Sequence, residues 1–180
     1  MFRLIAIAGV VGVIVALSFA ETPATAPADG VIRMKAGQSK PFTDPHGHVW
    51  QEQKGFPDGD DVERDSDLKI QNTDMPAFYR TEHYDMTSWS VPVPNGTYTV
   101  KLYFCETYED VTKPGERVFD VKIGQQQLKD FDIVKEAGSP LKPVTKTFDG
   151  VNVTDGVVKV VFTANVQSPC INGIEIIPKK

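Results

Sequence analysis

The stretch SWSVPVPNGTYTVKLYFCE, residues 88–106, decides the fold class. Its first half alternates apolar and polar residues around Trp89, Val91 and Val93, and its second half does the same through Tyr98, Val100, Leu102 and Phe104. A period of two puts successive side chains on opposite faces of a β-strand. Between the halves stands Pro94-Asn95-Gly96. Asn-Gly tolerates positive φ at both positions, so the stretch is expected to form a hairpin. The run VKLYFC (100–105) is apolar on both parities, which fits a central strand covered on both faces.

Working outward, the same pattern recurs. Residues 31–36 (VIRMKA), 118–123 (VFDVKI), 128–133 (LKDFDI), 145–148, 157–164 (VVKVVFTA) and 171–177 (INGIEII) are strand candidates, with Gly124-Gln125 turning the second into the third. No later segment holds a 3.6-residue period over a dozen residues. Most of the 13 prolines and 14 glycines fall between the candidates. Seven or more short strands punctuated this way predict a β-sandwich. Residues 42–77 are acidic and weakly periodic, and too long for a bare connection, so they are expected to hold short strands and functional loops. Tyr79, Tyr98, Phe104, Phe119 and Phe162, flanked by polar neighbours, read as core; the pattern does not place Trp89, and Trp50, which follows a loop, fits core or rim. Gly173, inside INGIEII, marks a bulge or a close backbone approach.

The ends set the context. Arg3, the apolar run 4–17 and Ser18-Phe19-Ala20 form a secretory signal with cleavage after Ala20. The apolar run is shorter than a membrane span requires. Residues 21–30, which begin ETPATAPAD, read as a disordered tether, and 31–178 as one domain. Losing Arg3 leaves 18 cationic against 24 acidic side chains, a net charge of −6. No basic cluster stands beyond Lys179-Lys180, so neither nucleic acid nor, after signal cleavage, a membrane surface is an expected partner. The expected location is secreted or extracytoplasmic. Cys105 and Cys170 are either a disulfide, which export permits, or two small buried thiols.

Four stretches in order carry a family resemblance. They are Phe42-Thr43-Asp44 with Gly47 and Trp50; FYRTEHY (78–84); YTVKLYFCETY (98–108) with RVFDV (117–121); and PCINGIEI (169–176). Together they resemble the malectin family over residues 31–177. The resemblance implies a jelly-roll β-sandwich of galactose-binding-like type that binds carbohydrate through loops and strand-end aromatics at one end. It implies aromatic ligand contacts at Tyr84 and Tyr108. Glu109 stands where the family has a second adjacent aromatic, and Gln167 near an acid that contacts sugar. The acidic loop 58–67 lacks a tyrosine that the family places there, so specificity for glucose disaccharides does not carry over.

A sugar offers apolar C–H faces and hydroxyls that donate and accept, so its site needs aromatic plates and polar side chains. Tyr84 and Tyr108 supply plates; Glu82, Glu106, Glu109 and Gln167 supply polar groups. The residues themselves also allow both tyrosines to be structural. His46 and His48 beside Asp44, and the acids Asp58, Asp60, Asp61, Glu63, Asp65 and Asp67, resemble metal sites in composition only. They lack a further ligand at a recognisable spacing and the ordered calcium-loop register. No nucleophile elbow or phosphate loop appears. No cofactor and no catalytic residue is assigned. Asn95-Gly96-Thr97 and Asn152-Val153-Thr154 are glycosylation sequons if the source glycosylates. The expected function is a non-catalytic carbohydrate-binding module. The alternative is a structural or adhesion sandwich that binds a protein partner or a cation.

Overall fold

The computed structural model describes residues 30–180. The expected signal peptide and all of the expected tether except Gly30 lie outside the described residues. The strands are β1 (Ile32–Lys35), β2 (Phe42–Thr43), β3 (Val49–Glu52), β4 (Asp60–Glu63), β5 (Thr81–Tyr84), β6 (Ser88–Pro92), β7 (Gly96–Phe104), β8 (Val118–Ile123), β9 (Gln126–Phe131), β10 (Val144–Val153), β11 (Val157–Val166), β12 (Cys170–Ile171) and β13 (Gly173–Pro178). Two short helices interrupt them, α1 (Pro76–Tyr79) and α2 (Ile133–Ala137).

A six-stranded sheet, in the order β10-β7-β13-β1-β3-β2, faces a four-stranded sheet, β6-β11-β8-β9. The main core fills the space between them. Val100, Leu102 and Phe104 of β7 and Ile174 and Ile176 of β13 meet Trp89, Phe119, Val121, Val160 and Phe162 from the other sheet. The opposite parity of β7 is also covered. Cys105 is buried and Tyr103 partly buried in a second cluster with Trp50, Ile70, Phe78 and Tyr79. The central-strand reading of VKLYFC therefore holds on both faces.

The expected hairpin across Pro94-Asn95-Gly96 does not form. β6 pairs only with β11, and β7 pairs with β10 and β13, so the turn carries the chain from one sheet to the other. The physical reason is the core. Trp89 and Val91 must face Val100 and Leu102 across the sandwich, and a hairpin would place all four on one face of one sheet. Neither Asn95 nor Gly96 adopts positive φ. Asn95 Oδ1 instead accepts from the Gly156 N–H (2.9 Å), and the Val93 N–H donates to the Gly156 carbonyl (2.9 Å). Thus Asn95 ties two loops together rather than supplying a left-handed turn. The β8–β9 hairpin forms as expected, although β9 ends at Phe131 and Ile133 begins α2. That helix is started by Asp132 Oδ1, which accepts from the Lys135 N–H, and is closed by Gly138 at φ +81°.

INGIEII divides at Asn172. β12 pairs with β5 in a third, three-stranded sheet, β12-β5-β4, while β13 joins the six-stranded one. A Cβ on Gly173 would fall 2.5 Å from Phe78 Cζ and 3.0 Å from the Met34 carbonyl oxygen. Gly173→Val is therefore expected to destabilise the domain by roughly 1–3 kcal/mol or more, the cost of overpacking a filled core. Urea unfolding with an unchanged midpoint would refute this reading. Cys105 and Cys170 are both buried and unpaired, which corrects the disulfide alternative.

Asp44 explains the first of the quoted motifs. Its carboxylate accepts from Trp50 Nε1 (3.0 Å), the His46 and His48 amides (2.9 Å each) and His48 Nδ1 (3.0 Å). Burial works against the charge, but these donors outweigh it and hold the Asp44 carboxyl down at about 2. The His-Asp group is therefore a loop anchor that fixes Trp50 against Phe78 (ring centroids 4.6 Å apart).

Candidate functional site

Four chain segments converge at one end of the sandwich. β4 and β5 run antiparallel, with Val62 opposite Glu82 and Asp60 opposite Tyr84. β7 ends at Phe104 and continues into Glu106, Thr107 and Tyr108. β11 ends at Val166 opposite Val118, which places Gln167 and Ser168 beside Arg117 at the start of β8. Together these segments enclose a cavity of about 320 Å³ lined by Val62, Arg64, Glu82, Tyr84, Tyr108, Arg117, Gln167 and Ser168.

Beneath the cavity lie two ion pairs. Arg117 Nε donates to Glu106 Oε2 at 2.6 Å, and its Nη1 donates to the Ser168 carbonyl. Glu106 is fully buried, and its other oxygen accepts from the Tyr108 N–H at 3.0 Å. Burial pushes the Glu106 carboxyl up, against the pull of Arg117. In the second pair Arg64 Nη2 donates to Glu82 Oε1 (2.8 Å) and Arg64 Nε to Thr107 Oγ1 (3.1 Å). The Thr107 hydroxyl donates in turn to Glu82 Oε2 (2.9 Å). The Arg64 guanidinium also lies 5.8 Å from the centre of the Tyr108 ring.

The rim is held by residues in unusual backbone conformations. Asp85 (φ 59°) and Gln167 (φ 60°) are both left-handed without being glycine. They flank a clasp in which Ser168 Oγ donates to Asp85 Oδ1 (2.5 Å) and the Asp85 N–H donates to the Pro169 carbonyl (2.9 Å). Such conformations cost energy and persist where the surroundings impose them. The Tyr108 hydroxyl donates to Asp110 Oδ2 (2.7 Å), which raises the phenol's affinity for its proton.

Of the residues expected from sequence, Glu82, Tyr84, Tyr108 and Gln167 come together on this cavity. Glu106 lies under it, reaching it only through Arg117 and Tyr108, and Glu109 is exposed outside the lining. Val62, Arg64, Arg117 and Ser168 join the lining without having been expected there. Arg64 had a signal, being the single cation within the acidic run 58–67. Two acids of that run are spent on separate bonds. Asp58 accepts from the Thr87 amide and hydroxyl, and Asp61 from His83 Nδ1 and Gln53 Nε2. Among the described residues no group of three or more His, Cys, Asp or Glu side chains is placed to hold a metal.

Residues 31–177 match the malectin domain, a span that contains all four quoted motifs and every residue lining the cavity. The chain belongs to the malectin domain family. Its malectin domain is 36% identical over 121 residues to the probable LRR receptor-like serine/threonine-protein kinase At1g07650 of Arabidopsis thaliana, covering 58% of this chain and 12% of that one. It is 38% identical over 81 residues to a second such kinase of the same plant, At1g29720, covering 41% and 8%. This chain thus spans a small fraction of the curated relatives it matches. Among solved structures, the malectin fold superposes on Bacteroides uniformis beta-glucuronidase with a TM-score of 0.73 at 17% identity, over 83% of this chain and 18% of that one. It superposes on the ANXUR2 extracellular domain of A. thaliana with a TM-score of 0.69 at 18% identity, over 83% and 41%. Identities this low establish a shared β-sandwich fold.

Proposed function

We propose that this malectin domain is a non-catalytic module that binds an oligosaccharide outside the cytoplasm, in the cavity between Tyr84 and Tyr108. The observation that carries this reading is the meeting of two half-exposed tyrosines with Gln167, Ser168 and two guanidinium groups around one cavity of about 320 Å³. The rings offer flat apolar plates to sugar C–H faces, and the polar groups offer directional bonds to hydroxyls. The carboxylates beneath are locked in ion pairs, which suits a rigid binding floor rather than proton transfer. No helix among the described residues is long and apolar enough to cross a membrane.

A peptide or protein partner is the second reading. One solved structure of similar fold contains the plant peptide RALF23 in complex with FER and LLG2, and this chain superposes on it with a TM-score of 0.67. The tyrosine-bounded cavity favours the sugar for this chain, because a compact recess bounded by aromatics and short polar groups fits one or two pyranose rings better than an extended peptide.

A glycan array probed with the mature chain, followed by calorimetry on the best ligand, tests the proposal. Tyr84→Ala and Tyr108→Ala are each expected to weaken binding by about ten- to a hundredfold, since one aromatic contact face is worth roughly 1.5–3 kcal/mol. Unfolding midpoints must be measured on the same proteins, because Tyr84 also packs against the main core. Parental affinity in both variants would move the site elsewhere. Silence across the array together with capture of a peptide would favour the second reading.

A further inference from the structure

His83 is buried on β5, away from the cavity, and both of its ring nitrogens face oxygen. Nδ1 lies 2.6 Å from Asp61 Oδ1 on the neighbouring strand β4, and Nε2 lies 2.9 Å from the Asp58 carbonyl. A carbonyl and an ionised carboxylate only accept, whereas a neutral imidazole carries a single N–H. The Gln53 amide does not change this, because it donates to Asp61 Oδ1 at 2.6 Å and stands 3.5 Å from Nδ1. Both bonds therefore form together when the ring holds two N–H groups and a positive charge. The ring is further fixed by stacking on Phe56 (3.9 Å between centroids), which stacks in turn on Trp89 (4.4 Å).

Phe56 and Asp58 belong to a strap, residues 53–59, that joins β3 to β4. The strap runs along the edge of β6 that β11 leaves unpaired. There the Gly55 carbonyl accepts from the Ser90 N–H (2.9 Å) and the Lys54 carbonyl from Trp89 Nε1 (2.6 Å). We infer that this strap is a proton-dependent cover: protonated His83 holds it closed, and loss of that proton releases it from the β6 edge. Two carboxylates face the ring, Asp61 from β4 and Asp58 from the strap. The other elements against it bring no charge: Trp89 of β6 acts through Phe56, and β12 pairs Ile171 with His83. Lys54 is turned to Glu52 (3.5 Å), and Glu82, adjacent on β5, is bound to Arg64. When the ring is neutral it keeps the stronger, charge-assisted bond from Nδ1 to Asp61. Nε2 then turns a lone pair on the Asp58 carbonyl oxygen. The two repel, and the strap leaves β6 with a bare edge.

The test is nuclear magnetic resonance of the mature chain with isotopically labelled histidine, from about pH 5 to pH 9. At the acid end His83 is expected to show both ring N–H protons, and at the alkaline end the Nδ1 proton alone. Over the same interval the Ser90 amide and the Trp89 indole N–H should exchange faster with solvent. After correction for ordinary base catalysis the rise should be about tenfold or more, as the loss of one charge-assisted bond provides. Asp61→Asn is the discriminating variant. Its amide can donate to Nδ1, so a neutral ring keeps its Nε2 proton on the Asp58 carbonyl and the strap stays closed. The rise should therefore vanish in Asp61→Asn, with protection at the acid end equal to that of the parent. The Asp61 side chain is 43% exposed, and the unfolding midpoint checks the variant's fold. If that variant does not fold, the titration of the parent decides. A single ring N–H at the acid end overturns the inference, as does corrected exchange that stays level while the ring titrates. A rise that persists in Asp61→Asn overturns it as well.

Discussion

Arg117→Ala is expected to lose about 3–5 kcal/mol of folding stability, the cost of leaving a buried charge without its partner. Glu106 is fully buried and keeps only the Tyr108 N–H once the 2.6 Å bond from Arg117 Nε is gone. The loss is a large fraction of the roughly 5–15 kcal/mol typical of a domain. It also removes the bond to the Ser168 carbonyl, so the segment carrying Gln167 loses an anchor. The pH dependence identifies the cause. Glu106 already has a raised carboxyl pKa through burial, and removing the neighbouring cation raises it further. A group held above its unfolded value stabilises the fold below that unfolded value and loses the contribution as pH climbs through the folded one. The deficit of Arg117→Ala should therefore shrink toward about pH 4–5, the range of an unfolded glutamate. The double variant Arg117→Met with Glu106→Leu should recover much of the stability, because apolar replacement of a buried ion pair is often neutral or favourable. Urea unfolding of the three proteins at about pH 5 and pH 7.5, either side of the expected change, checks this. A single variant within about 1 kcal/mol of the parent at the higher pH would show that the pair contributes no more than an exposed one.

The second large effect is a rise in stability between about pH 7 and pH 9 driven by Lys35. Its side chain is fully buried, with Nζ donating to Thr81 Oγ1 and the Ala36 carbonyl and lying 4.9 Å from the centre of the Phe78 ring. Burial, only partly opposed by Glu63 and Glu82, lowers its pKa from 10.5 to about 7. Between those values the unfolded chain binds the proton and the native state does not. Stability therefore rises with pH across that interval by about 1.4 kcal/mol per unit. From about pH 9 the two buried thiols oppose it. Cys105 and Cys170 are pushed up by burial, so above the ordinary thiol value the unfolded chain loses protons that the native state retains. Tyr79 and Tyr103, raised for the same reason, add to the opposition above the ordinary phenol value. The net expectation is a gain of roughly 2–3 kcal/mol from pH 7 to pH 9, then a plateau or decline. Lys35→Met should flatten the rise and be more stable than the parent at about pH 6, where the native lysine must carry its charge without water. A parent whose stability stays level across this range would show that the lysine keeps its proton in the folded state.

Several features are legible in the amino-acid order because they are local. Alternation along VFDVKI and VVKVVFTA is a property of neighbouring residues, and β8 and β11 follow it closely. The unusual apolarity of VKLYFC reports burial on both faces, and β7 has it. Tyr84 and Tyr108 are accessible through the family resemblance because they stand at or just beyond strand ends, where chain direction turns toward loops. The Pro94-Asn95-Gly96 turn misleads for an equally physical reason. Turn chemistry says that the chain reverses, but not whether it returns within one sheet or crosses to the facing one.

By itself, the sequence determined that this protein is a β-sandwich with a central two-sided strand, because a period of two and frequent turn residues admit few other ways to bury so many β-formers. Only the tertiary structure decided which strands pair and what lies under the tyrosines. Arg64 meets Glu82 across 18 positions and Thr107 across 43, and Arg117 meets Ser168 across 51. Such contacts are chosen by the packing of two sheets and the loops at one end, where a charge finds its partner through space. The folded chain thus sends the single cation of the acidic run 58–67, Arg64, to the buried Glu82, with the arginine lining the cavity.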